Sequence, residues 1–276
     1  MLALRVITAL VLAPLFLAGI FLLPSDGFAA FIGLFLVLSA WEWGGLCGFA
    51  AVGRALLMAG LALAAALAWR LGLELPLAIA GSAFWLLALV AVLRFPAGLT
   101  LWQRPLVRAL AGLFMLLPAW AGLTLLQARD GGAWLVLWTM VLVWGADIGA
   151  YFSGRAFGRR KLAPQVSPGK TLEGLAGGMA AALLLSLAIA AVAGFGLDAL
   201  AAGLVVSLLV IVASVVGDLM ESLVKRVAGV KDSGNLLPGH GGVLDRVDAV
   251  LAAAPLAALL LTLLDVVPGG WLAQWS

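Results

Sequence analysis

The sequence predicts an all-α, polytopic integral membrane protein with about nine transmembrane helices. Three observations support this prediction: the composition, a series of long apolar runs, and the uneven distribution of basic residues between those runs. Hydrophobic residues make up 65% of the 276 residues, charged residues make up 11%, and the mean hydropathy is +1.20. Because soluble domains contain about 25% charged residues, this composition excludes an ordinary water-soluble protein.

Apolar runs of the length that a transmembrane helix needs, about 20 residues, recur along the whole chain. They lie at 2–23, 28–49, 52–69, 75–93, 106–126, 133–152, 171–196, 199–217 and 247–264. The first run is too long for a signal peptide, and Pro24-Ser25-Asp26 is no small-residue cleavage site. Charged residues border the third and fourth runs, so eight spans are an alternative.

The basic residues predict the orientation of these spans. With the N-terminus in the cytosol, 14 of the 16 Lys and Arg residues fall on the cytoplasmic side, leaving Arg70 and Arg129 on the other side. Such a bias is typical of cytoplasmic loops. Both long polar segments, 153–170 and 218–246, then face the cytosol. Apolar residues from end to end favour a single membrane domain, 1–276, with N-terminal helices in 1–130 and a catalytic half in 131–276.

Cysteine content and charge exclude several other classes of protein. Cys47 is the only cysteine, so a disulfide framework and a multi-cysteine metal site are excluded. The isoelectric point is near 9.5, but the net charge is only +3 and the basic residues are clustered between apolar runs. This pattern indicates membrane topology, and no nucleic-acid partner is expected.

The segment 217–248 contains the densest group of charged residues. Four of its five acids form two pairs at i, i+3 spacing, which places each pair on one helix face: Asp218 with Glu221, and Asp245 with Asp248. Basic residues alternate with them: Lys225, Arg226, Lys231 and Arg246. Facing carboxylate pairs would suit Mg²⁺ shared with substrate phosphates, and the cations would neutralise a polyphosphate. The alternative is a cytoplasmic loop of salt bridges at the membrane interface.

A glycine-rich turn, Pro238 to Gly242, lies between the two acid pairs. The backbone N–H groups of Gly241 and Gly242 could approach an anion closely, although a plain turn would look similar. His240 is the only histidine. It could contact phosphate, donate a proton or only stabilise the turn.

The second polar segment, 144–174, predicts a basic loop between two helices. Asp147 and Tyr151 share a helical face ahead of the basic run. Ser167-Pro168 is a helix-opening signal that would place Lys170 and Thr171 in the first turn, where a helix attracts phosphate. Anchoring by the positive-inside rule is the alternative explanation for the basic run.

Glu42 lies inside the second span, where a carboxylate needs a polar partner or water. A single carboxylate supports a structural pair as readily as a site.

These two segments resemble the phosphatidate cytidylyltransferases, also called CDP-diacylglycerol synthases. The resemblance in 222–248 rests on Ser222, Lys225-Arg226, Lys231-Asp232, His240-Gly241-Gly242 and Asp245-Arg246-Val247-Asp248. The upstream block matches at Asp147, Ala150-Tyr151, Gly154-Arg155, Phe157-Gly158, Ser167-Pro168, Lys170-Thr171 and Glu173-Gly174. The N-terminal half matches only in having several apolar spans.

The resemblance implies transfer of CMP from CTP to phosphatidic acid, giving CDP-diacylglycerol and pyrophosphate. It also implies dependence on Mg²⁺, with a monovalent cation such as K⁺ as a further candidate, in a homodimer of the bacterial inner membrane with its active site facing the cytoplasm. The expected metal ligands are Asp218, Glu221, Asp245 and Asp248. Phosphate contacts are expected from Lys170, Lys225, Arg226, Lys231, Ser167, Thr171, His240, Gly241 and Gly242, while Asp147 would join the metal or orient a basic residue.

The sequence is also compatible with three alternatives: a transporter, a related membrane enzyme that activates another lipid phosphate or phosphorylates a polyprenol, and a membrane scaffold. Intramembrane carboxylates are common in transporters. The acids of this chain, however, gather at one face of the predicted membrane, and there is no inverted repeat.

Overall fold

The computed structural model describes residues 2–194 and 196–265, and their regular structure is almost entirely helical. The helices are α1 (Leu2–Leu22), α2 (Ser25–Leu46), α3 (Ala51–Leu71), α4 (Glu74–Arg94), α5 (Leu99–Trp102), α6 (Pro105–Gln127), α7 (Gly132–Phe157), α8 (Leu172–Val192), α9 (Leu197–Ala228) and α10 (Leu244–Asp265). Two strands, β1 (Lys161–Ala163) and β2 (Ser167–Thr171), lie between α7 and α8. Residues 266–276, the end of the predicted catalytic half, lie outside the described part.

Within the described residues, eight helices are long and apolar enough to cross a membrane. They are α2, α3, α4, α6, α7, α8, α9 and α10, and each coincides with a predicted span. Helix α1 (Leu2–Leu22) coincides with the first predicted span, and the stretch of it whose side chains are all described, Leu10–Leu22, is apolar. The all-α membrane architecture is confirmed, and the count of nine is approximate.

Contacts between helix ends divide the molecule into two poles, as alternating spans require. At one pole, Gln127 Nε2 donates to the carbonyl of Leu23, and Arg129 donates to Thr262 Oγ1. At the other pole, Lys170 pairs with Asp218, and Trp43 Nε1 donates to the carbonyl of Arg108. The two long polar segments therefore lie at the same pole, named here the polar pole.

Helix α6 lies at the centre of the bundle and α3 lies at its edge. In the most apolar 18-residue window, 72% of the residues of α6 are buried inside the protein, but only 17% of those of α3. Glycines allow close packing elsewhere: a Cβ atom at Gly178 of α8 would lie 2.5 Å from the carbonyl oxygen of Ala146 in α7. The exposed leucines and valines of the outer helices form the lipid-facing surface expected of a membrane protein.

The structure corrects the predicted start of α8. Residues 167–171 form strand β2, which pairs antiparallel with β1, and the helix begins only at Leu172. Thr171 is the N-cap, and its Oγ1 accepts a hydrogen bond of 3.1 Å from the backbone N–H of Gly174. Ser167, Pro168 and Lys170 therefore lie in a hairpin rather than in the first helical turn. The helix-opening signal was misplaced because a capping hydroxyl at Thr171 satisfies the same requirement.

Helices α9 and α10 also differ from the predicted spans. Helix α9 continues to Ala228, eleven residues beyond the predicted end at 217, and α10 starts at Leu244 rather than 247. The extra turns carry the charged residues of the polar pole. Gly217 allows the two helices to meet there, since a Cβ atom at this position would lie 2.5 Å from the carbonyl oxygen of Asp248.

Candidate active site

The first part of the candidate site joins the hairpin to α9. Lys170 Nζ of β2 lies 2.6 Å from Asp218 Oδ2 of α9, and both side chains are partly exposed. Arg226 Nε of α9 donates to the carbonyl of Val166 in the hairpin turn, at 3.2 Å. The hairpin is thus fixed onto α9 at two points, and it delivers an ammonium group beside a carboxylate.

The second part is a buried lysine between two buried carboxylates. Lys225 Nζ lies 2.5 Å from Glu221 Oε2 and 2.8 Å from Asp245 Oδ1. The side chains are 14%, 0% and 6% exposed in that order. Buried carboxylates are tolerated only with such partners, so Lys225 holds the polar ends of α9 and α10 together.

Asp245 also organises the loop before α10, named here the α9–α10 loop (229–243). Its carboxylate accepts hydrogen bonds from the backbone N–H of Ser233, at 3.0 and 3.1 Å, and of Gly242, at 2.9 Å. The Gly242 N–H was predicted to donate to a phosphate, but in the structure it donates to Asp245. Gly241 adopts a left-handed conformation with φ of +85°, which explains a glycine at the tight turn.

Two further acids lie near Asp218. Asp147 of α7 and Asp248 of α10 both interact electrostatically with Asp218 and Lys170. Asp248 Oδ1 accepts a hydrogen bond from the backbone N–H of Ala249, at 2.8 Å. Three helices and the hairpin therefore place three carboxylates and one ammonium group in one region.

The donor set fits a Mg²⁺ ion that shares its coordination with a substrate. Among the described residues, no group of three or more His, Cys, Asp or Glu side chains could hold a metal alone. Mg²⁺ normally uses only one or two carboxylates, with waters and phosphate oxygens completing its shell. Of the four predicted ligands, Glu221 and Asp245 are occupied by Lys225. Asp218 and Asp248 interact electrostatically across the α9–α10 contact, and Asp218, although paired with Lys170, is partly exposed.

Two cavities share a lining residue in this region. The first, of about 420 Å³, is lined mainly by apolar side chains of α1, α2, α6, α7 and α10, such as Phe16, Leu36 and Trp144. The second, of about 510 Å³, lies between α7, the hairpin, α8 and α9, and its polar lining includes Arg155, Lys170 and Thr171. Asp147 lines both cavities.

The remaining predicted residues are distributed unevenly around these cavities. His240 and Arg246 line the apolar cavity at its polar end, and His240 Nδ1 is buried without a hydrogen-bond partner among the described residues. In the described structure, the linings of the two cavities do not include Ser167, Arg226 or Lys231. Arg226 instead holds the hairpin, and Lys231 is exposed in the α9–α10 loop.

Sequence reasoning assigned no role to Glu42 or to Arg155. Glu42 contacts the α9–α10 loop, and Arg155 lines the 510 Å³ cavity while donating to Tyr151 Oη at 3.2 Å. The signal for Glu42 was its position as an acid inside an apolar span, and the signal for Arg155 was its place in the upstream block. Neither signal identified the partner.

The fold and site define a class: a helical membrane enzyme that has two neighbouring cavities beside a cluster of carboxylates and lysines. Comparison with known proteins specifies the family. Residues 3–264 match the model of the cytidylyltransferase family. The chain is 49% identical, over its full length and 99% of the relative, to a protein of Pseudomonas aeruginosa named phosphatidate cytidylyltransferase. It is 38% identical to a protein of the same name from Haemophilus influenzae, covering 92% of this chain and 96% of that one.

A shorter match concentrates on part of the chain. A phosphatidate cytidylyltransferase of Bacillus subtilis is 45% identical over 132 residues, which cover 48% of this chain and 49% of that protein. The protein belongs to the cytidylyltransferase family, and the predicted resemblance is confirmed. Family membership decides against the transporter and scaffold alternatives.

Proposed function

We propose that this protein transfers CMP from CTP to phosphatidic acid, producing CDP-diacylglycerol and pyrophosphate. The observation that carries the proposal is a pair of cavities that share Asp147, beside Asp218 and Asp248. One cavity is lined mainly by apolar side chains of five helices, and the lining of the other includes the cations Arg155 and Lys170. The two substrates differ as the two cavity linings do: CTP is a soluble polyphosphate, and phosphatidic acid has two hydrocarbon chains. Relatives that carry the name of this activity cover the full chain.

The 510 Å³ cavity is the proposed CTP site. Its volume lies within the range of about 300–1,000 Å³ typical of ligand sites, and Lys170 and Arg155 line it. Cations with fixed partners are suited to bind phosphate oxygens at a preset position. Lys170 would exchange part of its contact with Asp218 for the triphosphate.

The 420 Å³ cavity is the proposed site of the lipid. Apolar side chains of five helices would contact an acyl chain, while His240 and Arg246 at the polar end would contact the lipid phosphate. Burying hydrocarbon supplies binding free energy without involving the reacting atoms. The lipid phosphate would then point toward Asp147, which is where the CTP cavity begins.

The reaction needs positioning and charge neutralisation rather than a protein nucleophile. An oxygen of the lipid phosphate attacks the α-phosphorus of CTP, the new P–O bond forms, and the bond to the β-phosphate oxygen breaks. Pyrophosphate leaves with that electron pair. Lys170 would neutralise charge on the departing phosphates, and the buried Lys225 fixes the helices that carry the acids.

Asp218 and Asp248 would hold Mg²⁺, with Asp147 nearby, and phosphate oxygens of the substrate would supply further ligands. When bound, the ion would neutralise phosphate charge and raise the electrophilicity of the α-phosphorus. Glu221 and Asp245, the other two predicted ligands, and a monovalent cation stay predictions. So do the homodimer, the bacterial inner membrane and the cytoplasmic orientation of the polar pole.

The test is pyrophosphate release by purified protein in detergent, with CTP, Mg²⁺ and phosphatidic acid each omitted in turn. We expect release only when all three are present. Lys170→Gln should reduce turnover on the order of 100-fold, as loss of a transition-state charge contact does. Lys161→Gln is the matched control, because Lys161 is an exposed lysine of the same hairpin.

Different lipids separate this activity from that of a related enzyme. If another lipid phosphate is used in preference to phosphatidic acid in competition, the family holds but the proposed substrate is wrong. No release from folded protein with any lipid phosphate would contradict the proposed reaction.

A further inference from the structure

Glu42 makes long-range polar contacts with the loop of the candidate site. Its Oε1 accepts a hydrogen bond from the backbone N–H of Val243, at 3.1 Å, and its Oε2 accepts one from Leu244, at 2.8 Å. The hydroxyl of Ser233 donates to Oε2 at 3.3 Å. The side chain is 2% exposed. A residue of α2, about 200 positions away in the sequence, thus closes the α9–α10 loop.

These contacts cap the polar end of α10. The first N–H groups of a helix have no partner within the helix, and α10 begins at Leu244. A negative charge at this end is also favourable to the helix dipole. Because Val243 and Leu244 are themselves buried, the loss of Glu42 would leave two N–H groups without water or protein partners.

The cap acts directly on the acids of the site. Asp245 follows Leu244, and Asp248 lies one helical turn further along. Ser233 is held from two sides, since its hydroxyl donates to Glu42 while its N–H donates to Asp245. Two carboxylates therefore fix the same loop, and they determine where α10 presents its acids to α9.

The loop is adapted to this carboxylate. A Cβ atom at Gly234 or Gly242 would overlap with the Glu42 carboxylate, so a larger residue at either position would require that carboxylate to move. Two contacts hold the end of α2 against α6. Arg108 Nη1 donates to the carbonyl of Leu46 at 2.6 Å, and Trp43 Nε1 donates to the backbone carbonyl of Arg108 at 2.8 Å. Glu42 therefore projects from an immobilised helix end.

We infer that Glu42 is a positioning residue for nucleotidyl transfer, which acts through Asp245 and Asp248 without touching substrate. In the described structure, neither cavity lining includes it. The expected effect of Glu42 on kcat rests on the proposed function. The structural consequence, an ordered α9–α10 loop, is independent of any substrate.

The test uses Glu42→Gln, Glu42→Asp and, as matched control, Glu74→Gln, which changes a glutamate at the start of α4. For Glu42→Gln we expect kcat to fall on the order of 10- to 100-fold, as misplaced catalytic groups cause. KM for CTP and lipid should stay within about threefold, because the substrate contacts remain. Glu42→Asp keeps the charge and should recover part of kcat, whereas Glu74→Gln should match the wild type.

Hydrogen exchange supplies a readout that needs no activity. In Glu42→Gln, amides of Val243 and Leu244 should exchange about tenfold faster, the effect of losing a hydrogen bond to a charged group. If Glu42→Gln fails to fold, Glu42→Asp is judged by the same two measurements. Wild-type exchange or wild-type kcat in the folded Glu42 variant would overturn the inference. If the wild type shows no turnover, the proposed function fails, and unchanged exchange alone would overturn the positioning role.

Discussion

At the scale of the residue, Lys225 is the cation on which two buried carboxylates depend. It contacts Glu221 and Asp245, which are 0% and 6% exposed, and Glu221 Oε1 has no hydrogen-bond partner in the described structure. Asp245 keeps the backbone N–H groups of Ser233 and Gly242 if the lysine is removed. Glu221 would keep none of its contacts, so the two acids are not equivalent.

Lys225→Met is therefore expected to destabilise the protein by about 3–5 kcal/mol, as removal of one member of a buried ion pair does. Thermal unfolding in detergent measures the change. In Lys225→Met/Glu221→Leu an apolar pair replaces the ion pair, and we expect most of the loss to be recovered. Lys161→Met, at an exposed lysine, is the control. Equal melting temperatures for wild type and Lys225→Met would contradict the assignment.

Cys47 gives a prediction about reactivity. Burial raises the pKa of its thiol to about 11, although the positive charge of Arg108 acts in the opposite direction. Because the pKa is raised, the neutral thiol dominates at any lower pH, and only about one molecule in a thousand is a thiolate at pH 8. The thiolate is the reactive form.

We expect maleimide labelling of folded protein at pH 8 to be very slow, and to accelerate as the pH rises toward 11. Mass spectrometry of the intact protein measures the labelled fraction. Protein unfolded in SDS is the control and should be labelled fully. Rapid labelling of the folded protein at neutral pH would show that Cys47 is accessible and ionised.

At the scale of the element, sequence located the helices but not all of their ends. Apolar windows place a span wherever hydrocarbon must be crossed, so the middle of each helix was predictable. The end of α9 was not, because Lys225 and Glu221 extend the helix through an ion pair within it and a contact with Asp245. The charged residues after 217 were interpreted as a loop because the partners that hold them in a helix could not be known from the sequence.

The hairpin and the Glu42 cap were missed for a related reason. Strand β1 has three residues and β2 has five, too few to show alternation. The i, i+3 acid pairs were predicted to face each other, and α9 and α10 do pack together at Asp218 and Asp248. That Asp245 and Glu221 share Lys225 depends on side-chain geometry, which spacing does not determine.

Gly217 tests the contact between these two helices. Gly217→Ala should push α10 away from α9, because the added Cβ would lie 2.5 Å from a backbone oxygen of Asp248, which cannot rotate aside. We expect destabilisation of about 1–3 kcal/mol from overpacking, with loss of turnover as Asp248 moves relative to Asp218. Melting temperature and pyrophosphate release measure the two effects.

Gly60→Ala is the control for this change. Gly60 lies within α3, and no atom within 4 Å would contact an added Cβ. Alanine there should leave turnover unchanged and stabilise the helix slightly. If the two variants behave alike, the close approach of α9 and α10 at Gly217 is not what positions the acids.

At the scale of the whole molecule, the candidate site draws on both halves of the chain. The predicted catalytic half supplies α7, the hairpin, α9 and α10, but α1, α2 and α6 complete the apolar cavity. Glu42 of α2 also closes the α9–α10 loop. The N-terminal helices are therefore part of the site, although the motifs that predicted the site all lie in the other half of the chain.

The orientation of the whole molecule follows from the same two poles. Fourteen of the 16 basic residues were assigned to one side of the membrane, and the polar pole carries the proposed CTP site. Because CTP is made in the cytosol, the proposal requires this pole to face inward. Lys161 is exposed at the polar pole and Asp130 is exposed near Arg129, at the opposite pole.

Single cysteines at these positions test the orientation, with Cys47 protected by its burial. A membrane-impermeant maleimide added to intact spheroplasts should label Asp130→Cys and leave Lys161→Cys unlabelled. Both should be labelled once the membrane is permeabilised, which controls for accessibility. Labelling of Lys161→Cys from outside would place the 510 Å³ cavity away from its nucleotide and contradict both the charge-based topology and the proposed reaction. Labelling of Asp130→Cys but not of Lys161→Cys would place the 510 Å³ cavity on the cytosolic side, where the transfer reaction requires CTP to bind.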